Sequence, residues 1–246
     1  LAGHSTASRV TGTARVQGRG FAPETMRLDA SLTLEKSFYG PYRLSALTTT
    51  AALTEGQLTS ATEATLNGSE WTLGLRGRPF APTPSFELRE GRFRNVDIGP
   101  LLQSPSQSSR LHGTLRGTVR GLDPATIAVD AGLTLDSSRV NQQPLDAAAL
   151  DLRLENSELR ADFSLDTPDG GTQLAATARP FDDTPTVRVT EGSFRNLNVG
   201  TLAGVQGLTT ALSGALTLEG RGATAATLVL DGGLSFSASR INDATL

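Results

Sequence analysis

The sequence predicts an all-β fold: an elongated, curled antiparallel sheet built from tandem repeats of about 101 residues. Three observations carry this. The first is the period. Gly12, Gly113 and Gly214 stand 101 residues apart, and the same step relates Arg19, Arg120 and Arg221, then Asp29, Asp130 and Asp231. It also relates Arg78-Pro79-Phe80 to Arg179-Pro180-Phe181 and Phe93-Arg94-Asn95 to Phe194-Arg195-Asn196. The second is alternation of apolar and polar residues with period two, the pattern of half-buried strands. The third is the frequency of short turn clusters beside a weak helical signal. A repeated surface performs one physical task along a line, whereas a catalytic centre is a single irregular site.

The period divides the chain into residues 1–9 as the end of a preceding repeat, 10–110 as repeat 1, 111–211 as repeat 2 and 212–246 as the start of a third. The third copy stops at Leu246 partway through its period, so the chain reads as a piece of a longer protein. Within the repeats, Met26, Leu28, Ala30, Leu32 and Leu34 alternate along one strand face. Ile127, Val129, Ala131, Leu133 and Leu135 keep the same phase one period on, as do Leu228, Leu230, Gly232, Leu234 and Phe236. A one-residue slip would turn that face to water, so register is strongly specified. Asn67-Gly68 predicts a two-residue hairpin leading to Trp71, Leu73 and Leu75. Leu150, Leu152 and Leu154 precede a turn at Glu155-Asn156-Ser157, and Leu159, Ala161, Phe163 and Leu165 follow it. Asp166-Thr167-Pro168-Asp169-Gly170-Gly171 predicts a turn in which the glycine pair takes positive φ, before Leu174, Ala176 and Ala178. The Glu-Gly-x-Phe-Arg-Asn segments at Glu90 and Glu191 predict a bulge where the sheet bends. Pro100 to Ser109, with Leu101 and Leu102, and Thr201 to Thr210 read as non-strand connectors. The count is about six strands per period; at ~4.8 Å between strands a repeat advances roughly 29 Å.

Composition excludes several chemistries. The chain has no cysteine, so neither disulfide nor thiolate chemistry exists. A net charge of −3 gives no footprint for nucleic acid. Lys36 is the only lysine among many arginines. His4 and His112 have no second ligand at metal spacing and read as exposed loop or strand-end residues. The Asp166–Gly171 turn offers oxygen ligands but lacks the later bidentate acid that calcium loops use, and it reads as a turn. No serine or threonine has a histidine and an acid arranged for nucleophilic attack. No catalytic residue, metal site or cofactor is therefore expected. The recurring Asp29, Asp130 and Asp231 are expected to pair across strands with arginines.

Each strand has one apolar face, and such a face needs a cover. Two sheets packed as a sandwich are one solution. Sandwich cores use several large aromatics, and here aromatics are only 5% of residues. The other solution is one long sheet curled so that its aliphatic face, with Thr49 and Thr62 intruding, lines a groove. Periodicity alone does not separate the two. A groove would suit a hydrocarbon guest, since each methylene kept from water is worth about 0.8 kcal/mol. The predicted lining is Leu28, Leu32, Leu34, Val129, Leu133, Leu135, Leu150, Leu152, Leu154, Phe163, Leu165, Leu230, Leu234 and Phe236. Arg94 and Arg195 are candidates to touch a lipid headgroup.

The order of these motifs carries a resemblance. Leu-x-Gly stands near the start of a repeat, as at Leu111-His112-Gly113. Gly121-Leu122-Asp123-Pro124-Ala125-Thr126 precedes a strand, followed by Leu133-Thr134-Leu135-Asp136-Ser137-Ser138-Arg139-Val140-Asn141. Then comes Glu191-Gly192-Ser193-Phe194-Arg195-Asn196-Leu197-Asn198-Val199-Gly200-Thr201-Leu202. From about Val10 onward the pattern resembles the AsmA-like and TamB-like (translocation and assembly module) proteins of the bacterial cell envelope. The resemblance implies a β-taco, a folded-over sheet with a greasy interior in the periplasm of a diderm bacterium. It implies conduction of phospholipid acyl chains between inner and outer membranes, an inner-membrane anchor in the full-length protein and an outer-membrane assembly partner at one end. It carries no catalytic motif. The alternatives are a structural or adhesive stalk of tandem β-domains with closed cores, and a scaffold for outer-membrane protein assembly. Open sheet edges predict edge-to-edge self-association.

Overall fold

The computed structural model describes residues 7–100, 107–124, 126–141, 143–222, 224 and 227–245. It is all-β: a single antiparallel sheet of 17 strands, elongated, curled and not closed into a barrel. Repeat 1 supplies β1 (Ser8–Arg9), β2 (Gly12–Arg19), β3 (Arg27–Tyr39), β4 (Tyr42–Thr54), β5 (Gln57–Leu66), β6 (Ser69–Arg78) and β7 (Ser85–Val96). Repeat 2 supplies β8 (Ser109–Arg120), β9 (Ala128–Val140), β10 (Gln143–Glu155), β11 (Glu158–Thr167), β12 (Gly170–Arg179) and β13 (Thr186–Leu197). After the short helix α1 (Val199–Leu202) come β14 (Thr210–Arg221), β15 (Val229–Phe236), β16 (Arg240–Ile241) and β17 (Ala244–Thr245).

From β2 to β15 every strand pairs with the next along the chain, so the sheet is a meander with six strands per period. The repeats are units of sequence rather than separate bodies. The cuts at 110/111 and 211/212 fall inside β8 and β14, and the ladders continue across both. Tight hairpins hold the meander together. Glu55-Gly56, Asn67-Gly68 and Asn156-Ser157 each take positive φ at both central positions, the geometry that matches strand twist. The turn after β11 differs from the sequence expectation. The strands run on to Thr167 and resume at Gly170, leaving only Pro168 and Asp169 between them. Gly170 is a glycine for a different reason: a Cβ there would collide with the Arg195 carbonyl oxygen.

The connectors also end differently from expectation. Ser109 and Thr210 already belong to β8 and β14, and Val199–Leu202 forms one helical turn capped by Asn198, which accepts from the Thr201 N–H. Residues 101–106 of the first connector lie outside the described residues.

The curl is built by a bulge that recurs once per repeat. Lys36, Ser137 and Ala238 take φ of 45°, 42° and 44°, a costly region for side-chain-bearing residues. The next residue in each case is a buried serine: Ser37, Ser138 and Ser239. Its hydroxyl accepts the orphaned N–H of the neighbouring strand, from Thr11 (3.0 Å), His112 (2.9 Å) and Ser213 (2.9 Å) respectively. It also lies within donating distance of the carbonyls of Asp136 and His112 in the middle copy. A buried N–H without a partner costs about 1–3 kcal/mol, so this hydroxyl fixes the bend. Ser138→Ala is expected to lose about 2 kcal/mol in urea unfolding. Ser37→Ala, beside the edge strand where water reaches Thr11, is expected to lose less than half as much.

A second set of register shifts falls at the Glu-Gly-x-Phe-Arg-Asn segments, between Leu88 and Arg92 and between Val189 and Ser193, as their glycines predict. Asn95 and Asn196 within them take positive φ. Along one rim Asn141 ties the β9–β10 hairpin to the connector after β13. Its amide donates to the carbonyls of Leu202 (2.8 Å) and Thr201 (3.4 Å), and Gln107 donates to the Ala203 carbonyl. The connector after β13 thus reaches back to the β9–β10 hairpin.

Candidate functional site

Strand register assembles the apolar face row by row. One row runs unbroken across the sheet: Gly12, Leu34, Leu47, Ala64, Trp71 and Phe93, then Gly113, Leu135, Ala148, Leu165, Thr172 and Phe194, then Gly214 and Phe236. Three more rows lie parallel to it. All fourteen predicted lining residues fall on this face. Leu34, Leu135, Leu165 and Phe236 belong to the first row. Leu32, Leu133, Leu150, Phe163 and Leu234 belong to the second, and Leu152 to the third. Leu28, Val129, Leu154 and Leu230 belong to the fourth. The last copy's members sit beside a free edge, where Leu230, Leu234 and Phe236 are 57%, 55% and 45% exposed. The rest are half-buried except Leu32, which is at the exposed limit.

Among the described residues no second layer seals the face. Among the described residues only Leu53, Phe93, Val96, Leu145 and Ala148 are buried apolar side chains. The accessible surface is 16042 Å², against about 10,400 Å² for a compact monomer of this mass. Half-burial along the rows comes from neighbours in the same sheet. The closest packing is local: the Trp71 and Phe93 rings lie 5.3 Å apart, and Phe194 meets Phe236 edge-on at 6.1 Å. Phe93 and Phe194 also lie over Gly113 and Gly214, covering backbone that has no side chain of its own. The face carries few polar atoms. Thr49 and Thr62 bond to one another across β4 and β5 at 3.0 Å, and the Trp71 indole nitrogen is buried without a partner.

The opposite face is polar. Arg116 bridges Asp130 at 2.6 Å and Asp151, and Arg188 meets Glu219 at 3.0 Å. Hydrogen bonds to Asp130 first and Asp151 second hold the Arg116 guanidinium above its ordinary range. A raised cation stabilises the fold at every pH below the ordinary arginine value, so this pairing is constant through the neutral range. The expected arginine pairing of the repeated aspartates is realised at Asp130 alone among the described residues. Asp231 stands opposite Glu219, and Asp29 opposite Gln17 and Ala52, because register supplies those neighbours instead. Arg94 and Arg195, the candidates for a headgroup contact, are not on the apolar face. They stand opposite Glu70 and Gly171 on the polar face, since Phe93 and Phe194 occupy the apolar one. His112 is a half-buried strand residue in β8 rather than an exposed end; His4 lies outside the described residues.

Sequence reasoning missed the bulge serines, although Ser37, Ser138 and Ser239 repeat at the 101-residue step and a polar residue that recurs so strictly is itself the signal. No family model, curated protein or solved structure matches the chain.

Proposed function

We propose that this chain is a non-catalytic module whose apolar groove conducts phospholipid acyl chains between inner and outer membranes, as part of a bridge across the periplasm. One observation carries the reading: a continuous aliphatic face spans the sheet from β2 to β15 and, among the described residues, no second layer packs on it. Such a face in water is unfavourable by roughly 25 cal/mol per Å² of apolar surface. An acyl chain laid along the rows relieves that cost. Adjacent rows offer nearly equivalent neighbours, so no single deep trap stops a chain from moving on. Headgroups stay in water along the open side. The inner-membrane anchor and the outer-membrane assembly partner belong to the same proposal through the family resemblance. A stalk of closed domains is the weaker reading, because its cores would be sealed.

The test is lipid occupancy. The protein is purified without detergent from a bacterial envelope host, extracted with organic solvent and examined by mass spectrometry. Phospholipid in near-stoichiometric amount is the expected result. A lipid-free protein that also takes up nothing from phospholipid vesicles overturns the proposal.

A further inference from the structure

The groove is not uniform. On β4 and β5, Thr49 stands opposite Thr62 and Ala51 opposite Ser60. These four make a block on the apolar face, flanked by Leu32 on β3 and by Leu73 and Leu75 on β6. One period on, the same four places hold Leu150, Phe163, Leu152 and Ala161. The sheet therefore accepts aliphatic and aromatic residues there with the same pairing, and the hydroxyls are no requirement of the fold. The smaller side chains also recess the floor of repeat 1 relative to repeat 2.

The hydroxyls hold protons that the protein does not use. Thr49 and Thr62 carry two between them, and their shared bond takes one. The Ser60 hydroxyl has no hydrogen-bond partner among the described residues. Two donors thus face the groove with no acceptor in the protein. Water serves them while the groove is empty. A bare hydrocarbon chain would strip that water and leave both unpaired, which is unfavourable. The occupant that fits brings two acceptors at the top of its chains. Its acceptors are uncharged, because none of the four rows holds a lysine or arginine between β3 and β6; Arg76, for instance, is on the polar side, bonded to Gln57.

We propose that Thr49, Thr62 and Ser60 form a station that binds the two ester carbonyls of a diacyl phospholipid. This rests on the lipid-groove reading and adds to it where along the sheet the glycerol ester region pauses. Repeat 2, floored by Leu150, Leu152 and Phe163, holds only chains.

The experiment is a competition. The protein is incubated with vesicles containing equal amounts of diester phosphatidylglycerol and the diether analogue with the same chains and headgroup, and bound lipid is identified by mass spectrometry. The diether lacks the two projecting carbonyl oxygens, and its ether oxygens lie within the chain, shielded by the methylenes on either side. The wild type is expected to favour the diester about fivefold, equivalent to about 1 kcal/mol. The near-isosteric Thr49→Val/Thr62→Val variant with Ser60→Ala is expected to bring the ratio to about one. Ser60→Ala alone should move it partway, which keeps the test open if the triple variant fails to fold. A wild-type ratio near one, or a preference the substitutions leave intact, overturns the station while the groove reading stands. Failure to load either lipid removes the groove reading, and the station with it.

Discussion

Leu133→Asp is expected to empty the groove without unfolding the sheet. Leu133 sits in the second row, opposite Leu115 on β8 and Leu150 on β10, and is half-buried. In a sealed core the new carboxylate would be desolvated and unpaired, and the domain would lose several kcal/mol. Here no second layer of the described residues packs on the face, so the carboxylate turns into water. The fold loses only the leucine's contacts with its row, about 1–2 kcal/mol. The guest fares differently. An acyl chain lying on this row would press against a carboxylate that must be desolvated or protonated, and loading should fall by about a hundredfold, the equivalent of about 3 kcal/mol. Thr134→Asp is the control: it adds the same charge one residue away, on the polar face, opposite Thr114 and Ala149. It should change neither melting nor loading. Circular dichroism on heating and lipid extraction read the two quantities separately. Unfolding by Leu133→Asp would mean that the face is covered after all; normal loading would mean that lipid does not use it.

The parts of the fold that were legible in the sequence are those set by local period and phase. Leu28, Val129 and Leu230 occupy equivalent places because three copies keep one alternation, and phase alone puts side chains on a common face. The Asn67-Gly68 and Asn156-Ser157 hairpins were legible because their backbone geometry is a short-range property. What pairs with what across strands was not. Register decided that Asp231 meets Glu219 rather than an arginine, and that Thr49 meets Thr62. Whether the face is covered was not legible either, because a sandwich and an open groove write the same alternation. The bend was half legible. The Glu-Gly-x-Phe-Arg-Asn glycines signalled one bulge, but the other depends on Ser138 reaching His112 across 26 residues, a pairing no local window contains.

Gly113→Val is expected to be the most destabilising single change in the sheet, and its counterpart Gly12→Val a mild one, although the two glycines are copies of each other. A Cβ at either place would strike the carbonyl oxygen of the facing strand, from Thr134 or Thr33. The difference lies on the other side. β8 is held between β7 and β9, and Phe93 lies over Gly113, with its ring 3.0 Å from the position a Cβ would take. Relief at Gly113 therefore requires β8 to move against a neighbour on each flank, or Phe93 to leave its place beside Trp71. Overpacking of this kind with loss of ladder hydrogen bonds costs about 3 kcal/mol or more. β2 is paired on one flank only and its residues are exposed, so Gly12→Val can be accommodated by outward displacement of the edge, within about 1 kcal/mol. An array of repeats opens locally, so the measurement is amide hydrogen exchange along the ladder each glycine sits in, β8–β9 for Gly113→Val and β2–β3 for Gly12→Val. Protection relative to wild type should fall steeply in the first and little in the second. Equal losses would mean that collision with the facing carbonyl alone sets the cost, and that the aromatic cover over Gly113 adds nothing to the interior of the sheet.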